Sequence, residues 1–276
     1  DTRSTSSTMK IFISADIEGV TGITDWAEAD MAHADNAQFR ERMTAEVVAA
    51  CEGALQAGAT EIVVKDAHWT GRNILAERLP RQARLLRGWS GHPYSMVQGL
   101  DRSFAAALFI GWHSGGSQGD NPLVHTLNSS GLCGIRVNGQ WVTEFHLHAW
   151  TAALEGVPVA FVSGDDGLCR QVQALQAGIA TVDTMTASGA ATLARHPADA
   201  RERIQAGVRQ ALAQPLQARV LPLAPRFEVQ VVRKDARDAL RKSFYPGARL
   251  ADPVTVAFDT DQWFEVMRML QFVASS

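Results

Sequence analysis

The chain alternates between short, continuously apolar runs and longer stretches whose apolar positions recur every three or four residues. Lys10–Ala15, Glu61–Lys65, Ala105–Gly111 and Val159–Ser163 belong to the first kind, and each predicts a buried strand. Ala37–Ala57 has helical spacing and stops at Gly58, and Val142–Leu154 has it again before Gly156-Val157-Pro158. Val159–Ser163 runs through Gly164 into a helix that starts at about Asp166. Strands that are apolar throughout, with helices between them, predict an α/β fold whose mostly parallel central sheet is flanked by helices on both faces.

The texture changes after about residue 190. Ala198–Gln214 predicts a long Ala/Arg/Gln-rich helix, followed by a loop over Pro215–Pro225. Phe227–Arg233 alternates like a strand with one wet face, Pro253–Phe258 predicts another strand, and Gln262–Ala274 a closing helix. The expected organisation is therefore an α/β domain over residues 9–190 and a smaller C-terminal α+β unit over 191–276. Residues 1–8 are polar and lack the apolar centre of a signal peptide, so they read as an expression scar or flexible leader.

Composition narrows the partners. At 276 residues and 46% hydrophobic, the chain can bury a sizeable core without cross-links. A net charge of -3 argues against a nucleic-acid partner, which leaves a basic footprint. No run approaches the length of a membrane-spanning helix, so no membrane partner is expected. Cys51, Cys133 and Cys169 are odd in number and far apart, which fits reduced, inertly buried thiols and a cytoplasmic location.

The acids and histidines fall at strand ends. Asp16 and Glu18 follow the first strand, His68 the second and His113 the third. Residues two apart on an extended chain share a face, with α-carbons roughly 6.5 Å apart, so two carboxylates held that way repel unless a cation sits between them. Ligand sites in open α/β sheets form beyond the carboxyl ends of strands. An acid there commonly caps a turn, and a lone histidine is commonly a hydrogen-bonded loop residue; three strand ends carrying ligand types together point instead to a metal.

Ser14-Ala15-Asp16-Ile17-Glu18-Gly19, Asp66-Ala67-His68 and Gly111-Trp112-His113 resemble the zinc-dependent D-aminopeptidase family of the bacterial dipeptide-transport operon. The resemblance continues through Pro93–Gly99, the His125 segment, Glu144 and Val162–Asp166, and covers essentially all of the chain from Met9. It implies that Asp16, Glu18, His68, His113 and Glu144 ligate two Zn2+ per chain, with Asp16 bridging, and that His125 is the catalytic histidine. It implies a homo-oligomer, with a decamer of stacked pentameric rings as its form. The implied reaction is hydrolysis of short peptides or aminoacyl amides from the free amino end, D-amino-acid peptides included, by metal-activated water. Imidazole and carboxylate without thiolate suit zinc, although manganese or cobalt also fit. The alternatives are another two-metal amidohydrolase or phosphoesterase, or a non-enzymatic metal-loaded peptide-binding ring. No Arg or Lys cluster near the ligands offers to hold a phosphate, and a storage site has no need of a non-ligand histidine.

Several neighbours carry open readings. The family usually has small or amide residues where this chain has His146 and His148, so these either line the site or, for His148, add a ligand. Asp165 and Asp166 follow a strand and begin a helix, so N-capping explains at least one of them. Asp66 either orients a ligand histidine or holds a turn. Trp69 and Trp112 either wall a substrate pocket or pack in the core, and His33, His92 and His196 read as surface residues.

Overall fold

The computed structural model describes residues 9–115 and 120–275; the expected leader at 1–8 and most of the Gly/Ser loop after Ser114 lie outside them. In chain order the elements are β1 (Met9–Ala15), α1 (Trp26–Ala29), α2 (Asn36–Gln56), β2 (Ala59–Asp66), β3 (Ala83–Leu86) and β4 (Ala106–Trp112). There follow β5 (Leu132–Val137), β6 (Gln140–Val142), α3 (Glu144–Leu154), β7 (Val159–Asp165), α4 (Asp166–Leu175), β8 (Ala180–Ser188) and β9 (Ala191–Ala194). The chain closes with α5 (Pro197–Leu212), β10 (Phe227–Arg233), α6 (Ala236–Lys242), β11 (Arg249–Asp252), β12 (Thr255–Thr260) and α7 (Trp263–Val273).

The four apolar runs form the centre of a seven-stranded sheet in the order β3-β2-β1-β4-β7-β8-β9, parallel except for the last pair. Side chains alternate across it as the pleat requires. From β1, Ile11 and Ile13 enter one core with Val47, Ile204 and Val208 of α2 and α5. Phe12 points the other way, into a core with Phe145 and Ala149 of α3 and Val172 of α4. Covered on both faces, these strands can be apolar at every position, and that is why they were legible. Strands β3, β8 and β9 lie towards the sheet's margins, are mixed in polarity, and gave no such signal.

A second, antiparallel sheet runs β11-β12-β10-β5-β6 and packs a third core against α7 around Trp263, Met267 and Leu270. It draws β5 and β6 from before residue 190, while α5, after it, packs on α2, β7 and β8 of the first sheet. The structure therefore crosses the expected 9–190/191–276 boundary in both directions. Composition changes near 190 because α5 keeps one wet face, not because the first sheet's layer ends there.

Smaller differences have local causes. The helix expected from Val142 starts at Glu144, because Val142 still pairs with Ile135 across β6 and β5 and Thr143 caps the helix. Cys51 and Cys169 are buried, with burial pushing both thiols up to about 12, but Cys133 on the short strand β5 is exposed. Trp112 is fully buried, stacked on Phe109, and takes the core role. His33, His92 and His196 are exposed.

Glu46 is buried on α2, where its Oε1 accepts the Thr21 N–H at 3.0 Å. Burial pushes its carboxyl up to about 7, against the partial relief of the Thr21 hydrogen bonds. A carboxyl raised in the folded state contributes stability that is whole below the unfolded value of about 4.5 and is lost as pH rises through about 7. Glu46→Gln should remove that loss. In denaturant titrations above pH 8 the variant should exceed the parent by on the order of 3 kcal/mol, with the gap closing at pH 5.

Candidate metal centre

The strand order turns around β1: β2 and β3 lie to one side, β4 and β7 to the other. The crevice at the carboxyl ends of β1 and β4 is thus the switch point where open α/β sheets hold ligands. The segment after β1 folds across the end of β4, with the Asp16 N–H donating to Ile110 O and the Gly19 N–H to Gly111 O, each at 2.9 Å. A Cβ at Gly19 would sit 1.7 Å from the Trp112 carbonyl oxygen, so only glycine permits this approach. Asp16 and Glu18 are thereby buried at the floor of the crevice.

Three imidazoles surround them, each tethered at one nitrogen by a backbone carbonyl. His68 Nε2 lies 2.8 Å from Ala29 O, His113 Nδ1 2.7 Å from Ser114 O, and His125 Nδ1 2.8 Å from Leu123 O. A carbonyl only accepts, so these nitrogens carry the proton. The other nitrogen of each ring faces carboxylates. His68 Nδ1 is 3.2 Å from Asp16 Oδ1 and 3.0 Å from Glu18 Oε2. His113 Nε2 is 3.3 Å from Glu144 Oε2 and 3.7 Å from Asp16 Oδ2, and His125 Nε2 is 3.6 Å from Glu144 Oε1. Glu144 arrives from the second sheet, as the first residue of α3, and its Oε1 also accepts the Leu127 N–H at 2.7 Å.

Lone pairs aimed at carboxylate oxygens repel unless a positive charge lies between them. Protons can supply that charge: burial alone would depress His68 and His113, yet Glu18 and Asp16 around the one and Glu144 around the other hold both well above the usual histidine range. Burial, reinforced by the charge of Glu18, raises Asp16 far above a normal carboxyl. Burial would raise Glu144 too, but His113 brings it down to about 2. A multivalent cation satisfies the same set better. Glu18 Oε2 and His113 Nε2 are buried without a hydrogen-bond partner, as metal-directed atoms are. The backbone carbonyls that fix the rings are the outer partners that ligand histidines use.

Among the described residues, three groups of donor atoms lie within 4.8 Å of one another: Asp16, Glu18 and His68; Asp16, His113 and Glu144; and Glu18, His113 and His125. Asp16 belongs to the first two and directs a different oxygen at each. All five expected ligands and the expected catalytic histidine are thus together. His125 sits at the edge, stacked on His113 at 4.5 Å and against Trp26 at 5.4 Å, and remains partly open to the cleft.

The neighbours take plain roles. Both nitrogens of His148 are engaged elsewhere: Nδ1 donates to Glu144 O at 2.7 Å and Nε2 accepts the Met96 N–H at 3.4 Å. His146 accepts from the Thr143 N–H at 3.2 Å. Burial brings both histidines down to about 4, so they are neutral. Asp66 binds the backbone N–H groups of Asn73 and Ile74, and reaches His68 only through the Asn73 amide, which donates to His68 O. Asp165 caps α4 at Leu168 and also accepts from the Ser114 N–H and from Asn121, whose amide donates to Glu18 O as well. Sequence reading passed over Asn121 and Ala29 because each acts through contacts remote in sequence: the Asn121 amide, and for Ala29 a main-chain carbonyl that any residue offers.

A model of the D-aminopeptidase family matches residues 9–272. A D-aminopeptidase of Bacillus subtilis (strain 168) is 34% identical over 176 residues, 63% of this chain; the match spans 62% of that relative's length. The solved structure of the Zn-dependent D-aminopeptidase DppA from Bacillus subtilis, described as a self-compartmentalizing protease, superposes with a TM-score of 0.88 at 28% identity. That likeness covers 97% of this chain and 99% of the other.

The engagement of both His148 nitrogens has a measurable consequence. His148→Ala should leave the metal bound per chain unchanged by elemental analysis, while costing roughly 2 kcal/mol of unfolding free energy for the orphaned Met96 N–H and the space left behind. Loss of metal from a folded variant would make His148 a ligand.

Proposed function

Because the chain belongs to the D-aminopeptidase family, we propose that it is a dinuclear zinc aminopeptidase that hydrolyses short peptides or aminoacyl amides from the free amino end. The observation that carries this reading is Asp16, whose two carboxylate oxygens face two separate donor groups and so fit a bridge between two ions. Glu18 and His68 would complete one position, His113 and Glu144 the other. Bound there, zinc would polarise the scissile carbonyl and make water acidic enough to attack near neutral pH.

The protein's own groups do the rest. His125 keeps its Nδ1 proton on Leu123 O, which leaves Nε2 free at the cleft edge to take a proton and pass it to the departing amine. Burial lowers the affinity of His125 for a proton, which favours the neutral ring that a base requires. Glu18 and Asp16 are held rigidly by the crossing over β4, so their orientation needs no adjustment when substrate arrives. Phosphoesters fit less well, because no Lys or Arg lines the cleft among the described residues.

D-amino-acid peptides belong to the proposed substrate range, and assembly into a homo-oligomer, in the form of a decamer, to the proposed quaternary structure. A relative described as a self-compartmentalizing protease supports the latter. No described helix is long and apolar enough to cross a membrane. The three unpaired thiols support a reducing compartment such as the cytoplasm.

Elemental analysis of the purified protein should give about two zinc per chain. Asp16→Ala should lose both metal and peptidase activity. His125→Ala should keep the zinc and lose roughly 100-fold to 10,000-fold in kcat. A His125→Ala protein with full zinc and full activity would remove this residue from the reaction.

A further inference from the structure

Asp165 ends β7 and is fully buried. As the N-cap of α4 it uses one oxygen, Oδ1, which accepts the Leu168 N–H at 2.8 Å. Ser, Thr or Asn would cap the helix as well, so capping does not account for a carboxylate here. Its other oxygen, Oδ2, accepts two donors from outside α4: the Ser114 N–H at 2.7 Å and the Asn121 amide at 3.0 Å. The end of β7 lies hard against the end of β4, since a Cβ at Gly164 would sit 1.9 Å from the Trp112 carbonyl oxygen. That close approach brings Asp165 within reach of Ser114.

The two donors lead to the metal centre by separate routes. The Ser114 carbonyl accepts the Nδ1 proton of His113 at 2.7 Å, so fixing Ser114 fixes the ring that faces Glu144 and Asp16. Asn121 gives its other N–H to Glu18 O at 2.9 Å, the carbonyl of the residue whose carboxylate faces His68. The Asn121 Oδ1 accepts the Leu123 N–H at 2.8 Å, and the Leu123 carbonyl in turn holds His125 Nδ1 at 2.8 Å. One carboxylate oxygen therefore stands two hydrogen bonds from His113 and from Glu18, and three from His125. Asn121 is buried with both N–H groups and its oxygen engaged, which leaves the amide one orientation. An ionised carboxylate only accepts, and so takes all three of its donors; an amide in its place would set an NH2 group against N–H groups.

We propose that Asp165 is a positioning residue for the reaction, with Asn121 as its relay, and that the pair holds Glu18, His113 and His125 in register across both metal positions. The assignment rests on the dinuclear zinc reading above and goes beyond it, since the hydrogen bonds of Asp165 reach none of the five proposed ligand side chains directly.

The test uses Asp165→Asn, which keeps a capping oxygen for α4, and Asn121→Ala, which leaves Asp165 on Ser114. Zinc affinity is measured on the folded apo-proteins by competition with a chromophoric chelator. The visible spectrum of the cobalt-loaded proteins reports ligand geometry, and kcat and KM are taken for an aminoacyl amide. Asp165→Asn should weaken zinc binding roughly tenfold or more, shift the cobalt spectrum, and lower kcat more than it changes KM. Asn121→Ala should act in the same direction, and the double variant should fall short of the product of the two single effects, because the residues share one network. Asp235→Ala removes the cap of α6, outside the metal centre, and should leave zinc affinity and the cobalt spectrum unchanged. The proposal is overturned if folded Asp165→Asn matches the parent in zinc affinity and cobalt spectrum, or, should that variant not fold, if Asn121→Ala does. A parent protein that binds no zinc would instead remove the dinuclear reading itself.

Discussion

Three buried carboxylates within reach of one another are the constraint on which this molecule is organised. Asp16, Glu18 and Glu144 sit together at a depth where water screens little, and imidazole nitrogens point at them from three sides. Such an arrangement is unfavourable unless positive charge is held among the oxygens. Protons on His68 and His113 provide some of it in a bare site; divalent cations provide more and satisfy the orphaned atoms of Glu18 and His113 as well. On the proposed reading, the strain between these charges is what makes the site bind metal strongly.

The fold supplies the rigidity this requires. Asp16, Glu18, His68 and His113 stand just past the ends of three adjacent parallel strands, whose backbones are fixed by both neighbours and by cores on both faces. The glycine at position 19 lets one loop press onto the end of the next strand. The second sheet contributes differently. It brings Glu144 in at a helix start and α7 in as part of the opposite wall, so the cleft lies where the two sheets' layers meet.

That shared construction lines one cavity with the acids and imidazoles, with the indoles of Trp26, Trp69 and Trp89, and with polar residues such as Ser130 and Gln271. On the proposed reading, hydrolysis needs the reacting bond to be held still, and indole and thioether groups can hold a substrate by its side chain without competing for the cations.

The sequence by itself determined the parallel centre of the first sheet and the place of four proposed ligands, Asp16, Glu18, His68 and His113, at its strand ends; Glu144 and His125 were legible only through the family resemblance. Strands buried on both faces are apolar at every position, and those four residues follow them at once, so both signals are local and survive in one dimension. The outer strands β3, β8 and β9, with one side or an edge in water, left no comparable trace. Only the tertiary structure decided that β5 and β6 leave the first half to join the second sheet, since strand pairing depends on partners nearly a hundred residues away. It alone decided that His148 turns its nitrogens to Glu144 O and Met96 N–H, whereas His68 and His113 turn theirs to the acids. A histidine's chemistry depends on what each nitrogen faces, and that is a property of space rather than of order along the chain.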